Sequence, residues 1–291
     1  MHIDIKFMKR ALQLAHLGEG LVSPNPMVGA VIVDADGRII GEGYHHRYGG
    51  PHAEVCAVNS VKDSDRYRLT DSTIYVTLEP CSHYGKTPPC AKLIIDSGIP
   101  RVVVGSADPF PEVSGRGIMM LRNAGVEVEE GVLRDECDAL NTRFLTAHRL
   151  GRPWIQLKWA QSADGFMAGI DNDGKPYPVK FSTPISSVWM HRRRSMVDAI
   201  MVGKNTLEID HPRLNCRLWP GCAPRRVEPR HDLEEQMREL YKEGITSLMV
   251  EGGPTLLQSF IDLGLYDDIK IETAEKKLGA GLPAPKIHDE L

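Results

Sequence analysis

The order of apolar and polar positions predicts an α/β fold in the first half of the chain. Residues 4–18 carry apolar side chains at helical spacing, which indicates an amphipathic helix. Two β-prone runs then flank Asp36-Gly37, a dipeptide that is a strong hairpin signal. The pattern that follows predicts further helices and strands in alternation. They are a helix that begins near Pro51, a strand at 72–81, a helix at 89–98, a strand from 101, a helix at 115–125, a strand from 126 and a helix at 134–148.

The pattern restarts after a polar segment that contains Gly151 and Pro153, which suits a linker between domains. We therefore expect one domain over residues 1–148 and a second over 149–291. Beyond the linker, the periods predict a helix at 184–196, a strand at 198–203, a helix at 231–243, a strand at 246–251 and a helix at 254–262. Each half is therefore expected to layer helices around a sheet.

Length and composition agree with two ordinary globular domains. The chain has 291 residues, of which 42% are hydrophobic and 25% are charged. Its formal net charge of −4 argues against general binding to nucleic acid or to membrane surfaces, which usually needs a basic face. No apolar run approaches the roughly 18 residues of a membrane span, and the N-terminus lacks a signal-peptide core. We expect a cytoplasmic protein that acts on a small molecule.

Six cysteines are too sparse for a disulfide scaffold, and two of them accompany a histidine in a metal-binding pattern. His52 and Glu54 open a predicted helix, Cys81 follows a predicted strand, and Cys90 starts the next helix. The order H-x-E, P-C and a second cysteine is typical of zinc deaminases, although eight residues separate the cysteines here instead of two. One imidazole and two thiolates leave a fourth zinc position for water, as a catalytic site requires. We predict zinc on His52, Cys81 and Cys90, with Glu54 moving protons.

Other interpretations of this cluster stay open. A structural zinc site would need a fourth protein ligand, which His83 or His45 could supply. Such a site could belong to a module that binds a partner, but the open ligand set and Glu54 count against it. A nucleic-acid-editing deaminase is a further alternative. The negative net charge and the long segment between the two cysteines count against that function.

Four stretches around the cluster resemble one known family. They are NPMVGAVIV (25–33), GYHHRYGGPHAE (43–54), YVTLEPCSHYGKTPPC (75–90) and SADPFPEVSGRG (106–117). Together they are similar to the deaminase half of the bifunctional riboflavin-biosynthesis deaminase–reductases, the RibD family. The resemblance implies a cytidine-deaminase-like, three-layer α/β domain and a diaminohydroxy-phosphoribosylaminopyrimidine substrate. It also implies self-association into a homo-oligomer, and substrate contacts from Asn25, His45, His83 and Lys86.

Residues 153–291 resemble the reductase half of the same family, in stretches that include PWIQLKWAQSADG (153–165) and VEGGPTLLQSF (250–260). The resemblance implies a dihydrofolate-reductase-like α/β domain that uses NADPH to reduce the ribosyl group of the deaminated product to ribityl. It gives Asp210 a catalytic and cofactor-binding role. It implies substrate contacts from Arg194, Leu214, Arg217 and Glu251, and cofactor contacts from Gln161, Thr206, Gly252, Gly253, Pro254 and Thr255.

The residue types agree with part of these assignments. A strand that runs through Gly252-Gly253 into a helix lets a pyrophosphate approach the backbone N–H groups of the helix N-terminus. Arg194 and Arg217 could clamp a phosphate with paired hydrogen bonds. Asp210 could orient or protonate the ribose during hydride transfer, but an aspartate before His-Pro also suits a plain turn.

The reductase half departs from the family pattern. At most four residues join PRRV (224–227) to HDLEEQM (231–237), where the family carries considerably more sequence. The chain also stops before the final strands of the family, and Lys180 stands where a tryptophan is frequent. We therefore expect an incomplete reductase domain, with a segment missing near 227–231 and a short C-terminus. The alternative is an enzyme that only deaminates, with a degenerate, non-catalytic second domain.

Overall fold

The computed structural model describes residues 2–83, 88–109, 114–210 and 212–287, and within them all side chains except those of residues 2, 3, 205, 209 and 210. The chain divides into two compact units, residues 1–149 and 150–291. Within the described ranges, every helix is too short or too polar to span a bilayer.

Helices and strands alternate through the first unit. In chain order they are α1 (His2–Ala15), β1 (Gly29–Val33), β2 (Ile39–Tyr44), α2 (Ala53–Ser60), β3 (Thr73–Leu78), α3 (Cys90–Asp96), β4 (Arg101–Ser106), α4 (Arg116–Asn123), β5 (Glu127–Glu130), α5 (Arg134–Leu140) and α6 (Thr142–Leu150). The five strands form one sheet in the order β2-β1-β3-β4-β5. β1 runs antiparallel to β2 and β3, whereas β3, β4 and β5 run parallel.

Alternate side chains of these strands pack against helices on opposite faces of the sheet. Ile32 and Ile74 belong to one buried cluster, which also contains residues of α2, α3 and α4. Their neighbours Val31 and Tyr75 belong to a second cluster, with residues of α1 and α5. Successive strand side chains point to opposite faces, so a fully apolar strand needs cover on both sides. The predicted three-layer α/β arrangement is confirmed.

The hairpin predicted at Asp36-Gly37 joins β1 to β2. Gly37 has φ = 77°, a left-handed conformation that glycine adopts without steric cost. The carboxylate of Asp34 accepts hydrogen bonds from the backbone N–H groups of Asp36 and Arg38, at 3.1 and 2.9 Å. These bonds pin the turn from within.

The single helix predicted at 134–148 was wrong, because the segment forms two helices that break at Asn141. The Asn141 side chain accepts a hydrogen bond from the backbone N–H of Met27 and donates one to the carbonyl of Met27, both at 2.8 Å. A buried asparagine that serves a segment more than a hundred residues away cannot be recognised from local periodicity. The helix therefore breaks because of a tertiary contact, since an asparagine side chain competes with helical hydrogen bonding.

The second unit is built around a parallel sheet. In chain order its elements are β6 (Trp154–Gln161), β7 (Phe166–Ile170), β8 (Pro176–Tyr177), α7 (Pro184–Arg194), β9 (Ala199–Met201), α8 (Lys204–Asp210), β10 (Arg225–Val227), α9 (Leu233–Lys242), β11 (Ser247–Val250), α10 (Pro254–Asp262), β12 (Asp268–Thr273) and β13 (Leu282–Pro283). The main sheet has the order β10-β9-β11-β6-β12, with all its strands parallel. β7, β8 and β13 form a small antiparallel sheet.

Both faces of the main sheet are covered, as in the first unit. Met201 and Leu248 face a cluster with residues of α9 and α10, while Ile200 and Met249 face a smaller cluster on the side of α7 and α8. β10 has only three residues and lies at the edge of the sheet. Pro224 and Pro229 flank it, and proline at an edge discourages further strand pairing. The short connection from β10 to α9 spans residues 228–232.

Asp164 connects the start of the small sheet to the chain segment near residue 278. Its carboxylate accepts hydrogen bonds from the Ser162 hydroxyl at 2.6 Å and from the backbone N–H groups of Leu278 and Gly279 at 3.1 and 2.8 Å. The hydrogen bond from Ser162, followed by those from the two backbone groups, lowers the pKa of Asp164 to about 2.

This lowered pKa predicts a loss of stability in acid. The folded-state pKa lies below the usual value near 3.9, so the contribution of Asp164 is complete above about pH 4 and disappears as the pH falls towards about 2. We expect Asp164→Asn to lower the denaturant midpoint at pH 7, and the difference from the wild type to shrink through this window. A difference that stays constant from neutral pH down to about pH 2 would contradict the assignment.

Candidate active sites

Three metal-ligand atoms converge in the first unit. His52 is the N-cap of α2, Cys81 follows the end of β3, and Cys90 is the first residue of α3. Nδ1 of His52 lies 3.6 Å from Sγ of Cys81 and 3.3 Å from Sγ of Cys90. All three atoms lie within 4.8 Å of one another, and no other group of His, Cys, Asp or Glu in the described part of the chain comes together in this way.

This donor set fits zinc. Zn–S and Zn–N bonds of about 2.3 and 2.0 Å in a tetrahedron separate the ligand atoms by roughly 3.5–3.8 Å. One of the two N···S distances falls in that range and the other lies just below it. The hydrogen bond from the Cys90 thiol, followed by that from His52, lowers the pKa of Cys81 well below its usual value, and the thiolate is the form that binds a metal. Three protein ligands leave a tetrahedral ion one open position.

Glu54 lies in the first turn of α2, next to the cluster but outside it. Its side chain is buried, and the residue is only 3% exposed. Burial, and after it the negative charge of Cys81, raises the pKa of Glu54 to about 7. A carboxyl group that titrates near neutral pH can both accept and deliver a proton, which is the requirement for a general acid–base catalyst.

A cavity of about 510 Å³ opens beside Glu54, His52 and Cys81. Its lining includes three of the residues predicted to contact substrate, Asn25, His45 and His83. Nδ1 of His45 lies 2.9 Å from the carbonyl oxygen of Pro51, and Nε2 lies 3.1 Å from Nδ2 of Asn25. A carbonyl oxygen only accepts and an amide nitrogen only donates, so Nδ1 carries the proton and His45 is neutral. This arrangement turns Oδ1 of Asn25 away from His45. Lys86, also predicted to contact substrate, lies outside the described residues.

Four residues near the cavity carried no assignment from the sequence. Glu79, Asp108 and Phe144 line it, and Asn141 holds the backbone of Met27, two residues after Asn25. Two of them carried a signal, since Glu79 directly precedes Pro80-Cys81 and Asp108 lies in the family-like stretch 106–117. The others lie far from the zinc motifs in sequence and reach the cavity only through the fold.

Four of the predicted reductase residues lie together in the second unit. The guanidinium of Arg194 donates two parallel hydrogen bonds to the carboxylate of Glu251, at 2.8 and 2.7 Å. These side chains are 13% and 11% exposed. Nη1 of Arg194 also reaches the carbonyl of Asn215 at 3.5 Å, and Nη1 of Arg217 donates to Oδ1 of Asn215 at 3.1 Å. Leu214 is buried beside them with φ = 47°. Arg194, expected to clamp a phosphate, is therefore already paired with a carboxylate.

The glycine turn predicted to receive a cofactor leads from β11 into α10. Gly253 is the N-cap of α10, and a side chain there would have its Cβ 3.6 Å from Oγ1 of Thr206. Gln161 ends β6, the strand next to β11, and accepts a hydrogen bond from Nε1 of Trp159 at 2.7 Å. The residues fit a dinucleotide, since parallel strands end at one edge and a glycine turn there lets a phosphate approach backbone N–H groups. The side chain of Asp210 lies outside the described residues.

Comparison with known families gives one match for each unit. The cytidine and deoxycytidylate deaminase zinc-binding region matches residues 1–106. The RibD C-terminal domain matches residues 153–231 and 223–289, in two stretches. The two stretches overlap at residues 223–231, a segment that contains β10.

Relatives match across both units. The riboflavin biosynthesis protein RibD of Aquifex aeolicus is 38% identical over an alignment of 326 residues, gaps included. The alignment covers 96% of this chain and 89% of that protein. The RibD protein of Escherichia coli is 34% identical, with 95% and 89% covered. Both alignments are longer than this chain, so the relatives carry residues that it lacks.

Solved structures agree with these relatives. A diaminohydroxyphosphoribosylaminopyrimidine deaminase/5-amino-6-(5-phosphoribosylamino)uracil reductase from Thermotoga maritima matches with a TM-score of 0.86 and 38% identity, covering 97% of this chain and 89% of that one. RibD of Acinetobacter baumannii matches with a TM-score of 0.84 and 30% identity, covering 97% and 90%.

Proposed function

Given that this chain belongs to the RibD family of riboflavin-biosynthesis enzymes, we propose that His52, Cys81 and Cys90 hold its zinc ion and that Glu54 moves the protons of deamination. The enzyme combines a zinc-dependent deaminase with an NADPH-dependent reductase, and its second unit has the dihydrofolate-reductase-like fold. The observation that carries the site assignment is the convergence of one imidazole and two thiol groups beside a buried carboxyl group.

The substrate of the first reaction is a diaminohydroxy-phosphoribosylaminopyrimidine, as the name of the Thermotoga maritima protein suggests. When bound, the zinc ion acts as a Lewis acid towards water and makes it nucleophilic at neutral pH. Glu54 takes one proton from the water and gives it to the ring nitrogen. It then takes the second proton from the added hydroxyl group and gives it to the amino group, which leaves as ammonia, so that an exocyclic amino group is replaced by oxygen. Asn25, His45, His83 and Lys86 hold the substrate, with Oδ1 of Asn25 presented as an acceptor to its N–H groups.

The second reaction reduces the ribosyl group of the deaminated product to ribityl. NADPH supplies the hydride when it is bound. Gln161, Thr206 and the turn from Gly252 through Gly253 and Pro254 to Thr255 hold the cofactor, and Asp210 orients or protonates the ribose. Leu214, Arg217 and the Arg194–Glu251 pair form the substrate side of the site. This pair is bidentate and largely buried, so it presents a fixed surface to the ligand.

The partner of the enzyme is this small-molecule pyrimidine, and no nucleic acid is involved. We also infer that the chain self-associates into a homo-oligomer, which light scattering of the purified protein would test. The cytoplasmic location expected from the sequence stays a prediction.

The test is a mass analysis of products after zinc-loaded enzyme meets the proposed substrate, with and without NADPH. We expect exchange of an amino group for oxygen in both samples, and two added hydrogens only with NADPH. Cys81→Ser and Cys90→Ser should each lose zinc and deamination. Cys137→Ala, which changes a buried cysteine of the same unit outside the cluster, should keep both. Equal zinc content in all three variants would contradict the ligand assignment, and NADPH without effect would contradict the reductase assignment.

A further inference from the structure

Glu79 is a buried carboxylate that binds only backbone groups in the described structure. It follows the last residue of β3 and is 5% exposed. Its Oε2 accepts hydrogen bonds from the backbone N–H groups of Asp108 and Gly115, at 3.3 and 3.0 Å. Its Oε1 accepts from those of Gly117 and Ile118, at 3.0 and 3.4 Å. Four donors therefore converge on one carboxylate.

These donors belong to two segments, the end of β4 and the start of α4, and the hydrogen bonds of the sheet do not join these two segments. Asp108 follows β4, whereas Gly115 is the N-cap of α4 and the other two residues lie in its first turn. The unpaired N–H groups and the dipole at a helix N-terminus stabilise a negative charge, so the buried carboxylate needs no cation beside it. Glu79 thereby joins the ends of β3 and β4 to the start of α4.

The start of α4 packs so closely against the segment after β3 that no side chain fits at Gly117. A Cβ on Gly117 would lie 2.0 Å from the carbonyl oxygen of Pro80 and 3.2 Å from Oε1 of Glu79. The start of α4 therefore sits directly on the Glu79-Pro80 segment, which leads into Cys81. Asp108, held by its backbone to the same carboxylate, lines the cavity beside Glu54. One carboxylate thus fixes the wall of the substrate cavity at Asp108.

The geometry points to Glu79 as a positioning residue of the deaminase, which fixes the cavity wall at Asp108 through four backbone hydrogen bonds and does not itself touch the reacting atoms. This inference rests on the proposed assignment of Glu54 and Cys81 to the deaminase site. Loss of the anchor lets the wall shift, so substrate is held less well while Glu54 and the zinc ligands stay in place. The effect should appear mainly in KM.

The decisive variant is Glu79→Gln, which keeps the size of the side chain but turns one oxygen into an NH₂ group that faces two N–H donors. We expect KM for deamination to rise on the order of tenfold and kcat to fall less, because a shifted wall loses substrate contacts that the ground state and the transition state share. Reduction of separately supplied deaminated substrate should not change. Glu79→Asp keeps the charge but shortens the reach, so its KM should lie between those of Glu79→Gln and the wild type.

Asp34→Asn is the matched control, since Asp34 is also 5% exposed and also accepts backbone N–H hydrogen bonds, but lies away from this cavity. It should lower the unfolding temperature and leave KM and kcat for deamination unchanged. Kinetics are compared in zinc-saturated enzyme well below each unfolding transition. If Glu79→Gln does not fold, Glu79→Asp is judged by the same criterion.

A KM within about twofold of the wild type, or a change no larger than that of Asp34→Asn, would overturn the positioning role. Failure of the proposed function has a different signature. In that case the wild type would not deaminate the substrate, or Glu54→Gln would still do so, whatever Glu79 does.

Discussion

Glu54→Gln should abolish deamination while the enzyme keeps its zinc ion and its reductase activity. The amide has nearly the same shape as the carboxylic acid, so the 3% exposed position in the first turn of α2 can accept it. What it loses is the ability to accept and release a proton, because an amide does not titrate near neutral pH. General acid–base catalysis typically contributes about 10²–10⁴-fold to a rate, so we expect deamination to fall by at least that factor.

Zinc content measured together with both rates separates this result from simple damage. His52→Asn is the comparison, since it removes a ligand and should lose zinc and deamination together. Both variants should still reduce separately supplied deaminated substrate with NADPH, because the second unit carries that site. If Glu54→Gln kept more than about a tenth of the wild-type rate, Glu54 would not be the proton carrier. If it lost zinc, the carboxylate would belong to the ligand shell.

The sequence predicted that His52, Cys81 and Cys90 come together, because these residues stand at element ends that local patterns reveal. His52 caps a helix, Cys81 follows an apolar strand and Cys90 opens the next helix, so their order can be recognised before any fold is known. The anchors behind the cluster could not be found in this way. Glu79 and Asn141 act by hydrogen bonds to backbone groups distant in sequence, and backbone partners leave no mark on residue type.

The second unit shows a different limit. Periodicity predicted the helices α7, α9 and α10 and the strands β9 and β11, but not α8, and α10 begins at Pro254 as predicted. β10 has the sequence RRV with two exposed arginines, and β12 has partly exposed residues, so neither strand shows a continuous apolar run. The sequence also suggested two arginines free to clamp a phosphate. Pairing of Arg194 with Glu251 depends on where α7 ends relative to β11, which is a property of the packed sheet.

Substitution in the Arg194–Glu251 pair gives the largest expected effect on stability and reduction in the second unit. Arg194→Met should eliminate reduction and destabilise the fold, because it leaves the carboxylate of Glu251 largely buried without its partner. Removal of one member of a buried ion pair typically costs about 3–5 kcal/mol. We expect a clear drop in the unfolding midpoint of the second unit, followed by denaturant titration, and little change in the deamination rate measured below that transition.

The double variant Arg194→Met/Glu251→Leu decides whether the pair serves the fold or the reaction. Replacing both members of a buried ion pair by apolar residues of similar size is often neutral or stabilising, so the unfolding midpoint should largely recover. Reduction should not recover, since two apolar side chains cannot hold a phosphorylated sugar. Recovery of both stability and reduction would mean that the pair is only structural, and that the substrate is held by the neighbouring Arg217 without it. Recovery of stability alone would place the guanidinium and the carboxylate in the reductase site itself.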